Sequence, residues 1–128
     1  YWNEWDALMR SGLGKRGWIS PDDHALYALC DSPAQAVTHI MDFYRNYHSS
    51  RYVKDDLVIR MQRRLSDRAM HTLNTEFARL VKAGSMVQRG PLDAEDDHLH
   101  LPRLVFTHTR RDFGLVRKLI DRINQLDR

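Results

Sequence analysis

The sequence predicts a mixed α/β chain in two parts: a largely helical N-terminal unit with one short strand, and a compact α+β module of βαββα order. Three observations carry this. Apolar residues recur at helical spacing through residues 1–45, with only one short run that reads as a strand. A polar, aromatic and basic stretch interrupts the chain at residues 46–55. Beyond it, alternation of period two and period 3.6 interleave, as in a sheet covered by helices.

The first helix is expected over Trp2–Arg10, where Trp2, Trp5, Leu8 and Met9 form an apolar stripe. No capping residue precedes it and the stripe requires a partner surface, so the sequence reads as a cut chain whose preceding strand or loop is missing. Ser11–Ser20 reads as a glycine-rich loop, and Pro21 after Ser20 marks a short helix start. Tyr27, Ala28, Leu29 and Cys30 read as a short buried strand. Ser32-Pro33 opens a second helix on which Val37, Ile40, Met41 and Tyr44 share a face. Asn46–Asp55 then reads as a linker. Leu57, Ile59 and Met61 alternate with Val58 and Arg60, predicting a strand with one buried face. Ser66 caps a helix carrying Met70, Leu73, Phe77, Leu80 and Val81, and Gly84 ends it. A short strand over Ser85–Arg89, an acidic loop over Pro91–Asp97 and a third strand through Leu104, Phe106 and His108 follow. Asp112 caps a last helix with Phe113, Val116, Ile120 and Ile123 inward. Three strands with two helices on one face make the α+β module.

Composition narrows the class. Of the 128 residues, 42% are hydrophobic and 29% charged, a globular balance that excludes whole-chain disorder. No apolar run approaches the ~20 residues of a membrane span, and the N-terminus lacks the basic-then-apolar pattern of a secretory signal. The single cysteine, Cys30, excludes an internal disulfide and a cysteine-based zinc site; it reads as a small buried hydrophobe. The expected compartment is the cytoplasm. A formal charge of +3 permits an anionic ligand without demanding nucleic acid.

Several motifs invite a chemical reading. Gly12-Leu13-Gly14-Lys15-Arg16-Gly17 matches G-x-G-x-x-G, but the dinucleotide fingerprint needs a strand before it and a helix opening after it. Here a helix precedes and Pro21 follows, which favours a flexible loop over a phosphate cradle. His98 and His100 could face one metal, yet no third ligand accompanies them, so a solvated loop is expected. No H-E-x-x-H or G-x-S-x-G occurs. The pairs Asp22-Asp23, Asp55-Asp56 and Asp96-Asp97 read as turns and caps. Arg63-Arg64 and Arg110-Arg111 lie at strand ends, where a solvated or ion-paired surface is the default and phosphate the alternative. The densest constellation is Arg45, Tyr47, His48, Arg51 and Tyr52, whose interleaved rings and cations suit a phosphate or nucleobase, or an interface between domains or subunits.

Three blocks of residues resemble a known family. Tyr1-Trp2-Asn3-Glu4-Trp5 through Trp18-Ile19-Ser20-Pro21, followed by Asp31-Ser32-Pro33-Ala34-Gln35-Ala36-Val37, resembles the end of the Lonely Guy (LOG) family, long labelled "possible lysine decarboxylase". Phe43-Tyr44-Arg45-Asn46-Tyr47-His48-Ser49-Ser50-Arg51-Tyr52-Val53 resembles its longer bacterial members. So does Arg110-Arg111-Asp112-Phe113-Gly114 with Leu119-Ile120-Asp121. The resemblance implies that residues 1–45 are the C-terminal helices of a Rossmann-like domain, that residues 56–128 are an appended module, and that the intact protein is a dimer. It also implies hydrolysis of the N-glycosidic bond of nucleoside 5′-monophosphates to base and ribose 5-phosphate, with no cofactor. The family's P-G-G-x-G-T motif and following glutamate do not occur in these residues. No catalytic residue and no metal ligand is therefore assigned, and the chain alone is expected to be inactive. No pyridoxal phosphate site supports lysine decarboxylation. The expected partners are a nucleoside monophosphate in the intact protein and a second copy of the chain, with neither membrane nor nucleic acid. A non-catalytic module for dimerisation or effector binding is the alternative. RNA binding has weak support, because the strands offer only Phe106 as a stacking ring.

Overall fold

The computed structural model describes residues 1–128 and is a mixed α/β structure. Helix α1 (Trp2–Ala7) runs on as a π-helix over Leu8–Gly14, and a 3-10 turn over Pro21–Leu26 follows. Helix α2 (Pro33–Phe43) leads into strand β1 (Tyr47–Val53), which pairs with β2 (Asp56–Met61). Helix α3 (Asp67–Glu76), strands β3 (Val81–Arg89) and β4 (Arg103–His108), and helix α4 (Phe113–Gln125) complete the chain. The sheet is antiparallel throughout, in the order β1-β2-β4-β3.

Local chemistry sets the helix starts. Ser32 Oγ accepts the Gln35 N–H at 3.2 Å ahead of Pro33, and Ser66 Oγ accepts the Ala69 N–H at 3.1 Å. Both caps lie where the sequence places them. The core lies in residues 57–123, where α3 and α4 cover one sheet face: Ile59, Met61, Leu73, Leu80, Leu104, Leu119 and Ile123 are fully enclosed.

Several expectations are corrected. Asn46–Asp55 is not a linker but edge strand β1 and its turn, so the module has four strands. Its polar side chains are those of an edge strand with one face half open to water. Gly84 does not end α3. It lies inside β3 at φ 72°, where the pairing with β4 shifts register, and α3 stops eight residues earlier at Glu76. The Ser11–Ser20 loop is helical as far as Gly14, and Gly17, at φ 73°, follows that helix instead of opening one. Tyr27–Cys30 forms no strand, and Cys30 is exposed. Phe113 is exposed at the start of α4 instead of turning inward.

Strand β2 is buried on both faces, not one. Its back face carries Val58 and Arg60, paired across the ladder with Val105 and Arg103. The segment between β3 and β4 covers that face, and Glu95 reaches both guanidinium groups, at 3.0 Å from Arg60 and 3.1 Å from Arg103. Two like charges directly opposed across a ladder are unfavourable; the buried carboxylate between them offsets part of that repulsion. Arg103 also donates to the carbonyls of Asp97, His98 and Leu101. With Phe106 turned into the core and the back face covered, β4 offers no exposed ring for stacking RNA.

Residues 1–45 contain no buried residue. They dock on the module at two points. A Cβ on Gly114 would overlap the backbone of Asp22 and Asp23, so α4 begins in direct contact with the 3-10 turn. At the other end, the buried Asn124 side chain accepts the N–H groups of Asn46 and Tyr47 and donates to the Phe43 carbonyl at 2.6 Å.

Candidate functional site

The five residues singled out around β1 do not form one site. Arg45 pairs with Asp42 at 2.6 Å at the end of α2. Tyr47 packs on Phe43 and Tyr44 and on the core face. His48 falls at a register shift, against His98 with ring centroids 4.4 Å apart, and burial lowers its pKa. Arg51 lies opposite Val58 on the back face, exposed, whereas Tyr52 lies opposite Leu57 on the helix face. Strand alternation therefore splits the constellation between two faces. No group of three or more metal-ligating side chains is assembled at His98 and His100 or elsewhere.

Tyr52 leads to a different place. Its hydroxyl donates to His108 Nδ1 at 2.7 Å, and the two rings stack. His108 Nε2 lies 3.0 Å from the Arg111 carbonyl, which can only accept, so Nε2 carries the proton and Nδ1 is free to accept from Tyr52. Burial holds the His108 pKa below the usual histidine value and pushes that of Tyr52 up, which keeps the pair neutral. The segment after β4 is unusual in its backbone: Arg110 and Asp112 both adopt left-handed conformations, at φ 59° and 60°. Such residues persist only when their surroundings hold them. Here His108 holds the Arg111 carbonyl, Arg110 donates to the Lys54 carbonyl at 2.6 Å, and its guanidinium lies 4.1 Å from the centre of the Tyr52 ring.

This segment forms one lip of a cavity of about 520 Å³, within the size range of small-molecule sites. Arg110, Arg111, Asp112 and Phe113 line it from the module; Trp5, Met9, Ile19, Ser20 and the 3-10 turn line it from the N-terminal unit. Trp5 meets Tyr27 edge to face, and the Tyr27 hydroxyl donates to Asp6 at 2.5 Å. That bond lowers the Asp6 pKa and raises that of Tyr27. His24 also lines the cavity, and its Nδ1 is buried with no hydrogen-bond partner. Trp5, Ile19 and Ser20 of the first resemblance block and Arg110–Phe113 of the third thus line one cavity, with Tyr52 of the second block behind it. His24 carried no local signal in the sequence, because its place here depends on the docking of the 3-10 turn against Gly114.

Comparison of the chain with family models, with curated proteins and with solved structures returns no match. No helix is long and apolar enough to cross a membrane.

Proposed function

We propose that this chain is the C-terminal part of a LOG-like nucleoside 5′-monophosphate phosphoribohydrolase, and that its own role is to pack against and assemble the catalytic domain. The observation that carries this reading is the uncovered apolar face of residues 1–45. Trp2, Leu8, Val37, Ile40 and Met41 are all more than half exposed, on helices whose sequences pattern them as inward-facing. Helices of this kind cover the sheet of a Rossmann-like layer, and the active site of such a layer lies at the carboxyl ends of its parallel strands. The four antiparallel strands seen here are not that sheet. The meeting of residues from the first and third resemblance blocks at one cavity supports the reading further. A cytoplasmic, homo-oligomeric enzyme without a cofactor remains part of this proposal.

Two measurements test it. The chain incubated with adenosine 5′-monophosphate should release no adenine; release would overturn the reading outright. The coding sequence ahead of Tyr1 should continue in frame into a P-G-G-x-G-T segment followed by a glutamate; a different reading frame or motif there would also overturn it. The same apolar face supports a second reading, a self-associating module indifferent to nucleotide. Gel filtration with and without the nucleotide distinguishes the two, because only the second expects a stable dimer of the isolated chain under both conditions.

A further inference from the structure

We propose that the cavity between the 3-10 turn and the start of α4 binds a planar aromatic acid, a flat ring carrying one anionic group. Three rings of the lining, Trp5, Tyr27 and Phe113, supply apolar walls, and most of the lining surface is apolar. A flat ring fills such a space and gains from edge and face contacts with those rings. Several of the polar groups are already engaged within the chain. Arg111 lines the cavity, is exposed, and makes no side-chain hydrogen bond or ion pair within the chain. Its neighbour Arg110 is already engaged with Lys54 and Tyr52, and Asp112 lies 3.6 Å from Arg79, so Arg111 is the cation left for a ligand. Asp23 also lines the cavity, and its carboxylate disfavours a ligand of high negative charge. One negative charge beside Arg111 and a ring between the aromatic walls satisfy these groups at once.

The left-handed backbone on either side of Arg111 fits the same role. His108 and Tyr52 hold that backbone in place, so the cation is positioned before any ligand arrives. Tyr52 and His108 are therefore positioning residues and do not touch the ligand.

Isothermal titration of the 128-residue chain with 2-naphthoate, 2-naphthol, 2-naphthyl phosphate and acetate tests the proposal. 2-Naphthoate should bind, 2-naphthol and acetate much more weakly. Arg111→Gln should weaken 2-naphthoate about tenfold and leave 2-naphthol unchanged, as expected for loss of a charged hydrogen bond. Phe113→Leu should weaken both ring compounds. Arg111 and Phe113 are exposed, so neither change threatens folding, and an unchanged thermal midpoint checks this. The phosphate probe separates the two forms of the acid: equal or weaker binding than 2-naphthoate fits the carboxylate reading, with Asp23 opposing the second charge. Binding of 2-naphthol equal to that of 2-naphthoate, an affinity unmoved by Arg111→Gln, or no binding of any ring compound overturns the proposal. None of these outcomes bears on nucleotide hydrolysis, which the adenine-release assay reads separately.

Discussion

Glu95 sits in a loop of acidic and polar residues and looks like any solvated carboxylate in sequence. In the fold its side chain is fully enclosed between Arg60 and Arg103, and it accepts the Leu92 N–H as well. Burial alone would raise its pKa; hydrogen bonds from Arg103, Leu92 and Arg60 outweigh that and leave it below the usual glutamate value. Removing one member of a buried ion network strands the others. Glu95→Gln should therefore destabilise the protein by about 3 kcal/mol in urea unfolding, because two buried guanidinium groups lose their counter-charge. The pH dependence follows in sign. A carboxyl group whose folded pKa is depressed contributes stability that is present above its unfolded value of about 4.5 and is lost as pH falls through the folded value. The wild-type chain should lose stability below that pH, and Glu95→Gln should show less of that loss. Equal acid slopes in the two proteins would show that Glu95 is not the group responsible.

The elements divide by how local their determinants are. Helices α2, α3 and α4 were legible because a serine cap or an apolar repeat lies within the segment itself, as with Ser32, Ser66 and the Ile120 and Ile123 face. Strand β1 was not legible. An edge strand half open to water carries Ser49, Ser50 and Arg51 as readily as a linker does, and only its pairing with β2 distinguishes the two. The junction between α2 and β1 depends on Asn124, some eighty residues away, which satisfies two N–H groups and one carbonyl. Asn124→Leu keeps the number and branching of side-chain heavy atoms and removes all three bonds. It should cost about 2–3 kcal/mol, from unpaired buried backbone groups. Hydrogen exchange at Asn46 and Tyr47 should accelerate in that variant while β4 amides stay protected. Unchanged protection at Asn46 would show that the junction is held by other contacts.

At the scale of the molecule, the two halves are unequal. Residues 57–123 bury a continuous core, whereas residues 1–45 bury nothing completely and hold to the module through Gly114, Asn124 and the ion pairs of Asp22 with Arg79 and Lys118. The exposed apolar side chains of α1 and α2 should be open to an apolar probe. The wild-type chain should bind an apolar dye, and Ile40→Lys with Met41→Lys should reduce that binding without lowering the thermal midpoint. A lowered midpoint would mean that these side chains belong to the chain's own core.

Some features of this protein follow from sequence by itself: the division into a helical part and an α+β part, the caps of α2 and α3, and the inward faces of α3 and much of α4. Each depends on residues within a turn or two of one another, where spacing alone dictates which groups meet. Tertiary structure alone decided the fourth strand, the burial of both faces of β2, and the separation of Arg51 from Tyr52. It also decided the cavity that joins Trp5 and His24 to Arg111 and Phe113. Those outcomes depend on which distant segments cover which surfaces, and burial is a property of the assembled layers that no local spacing encodes.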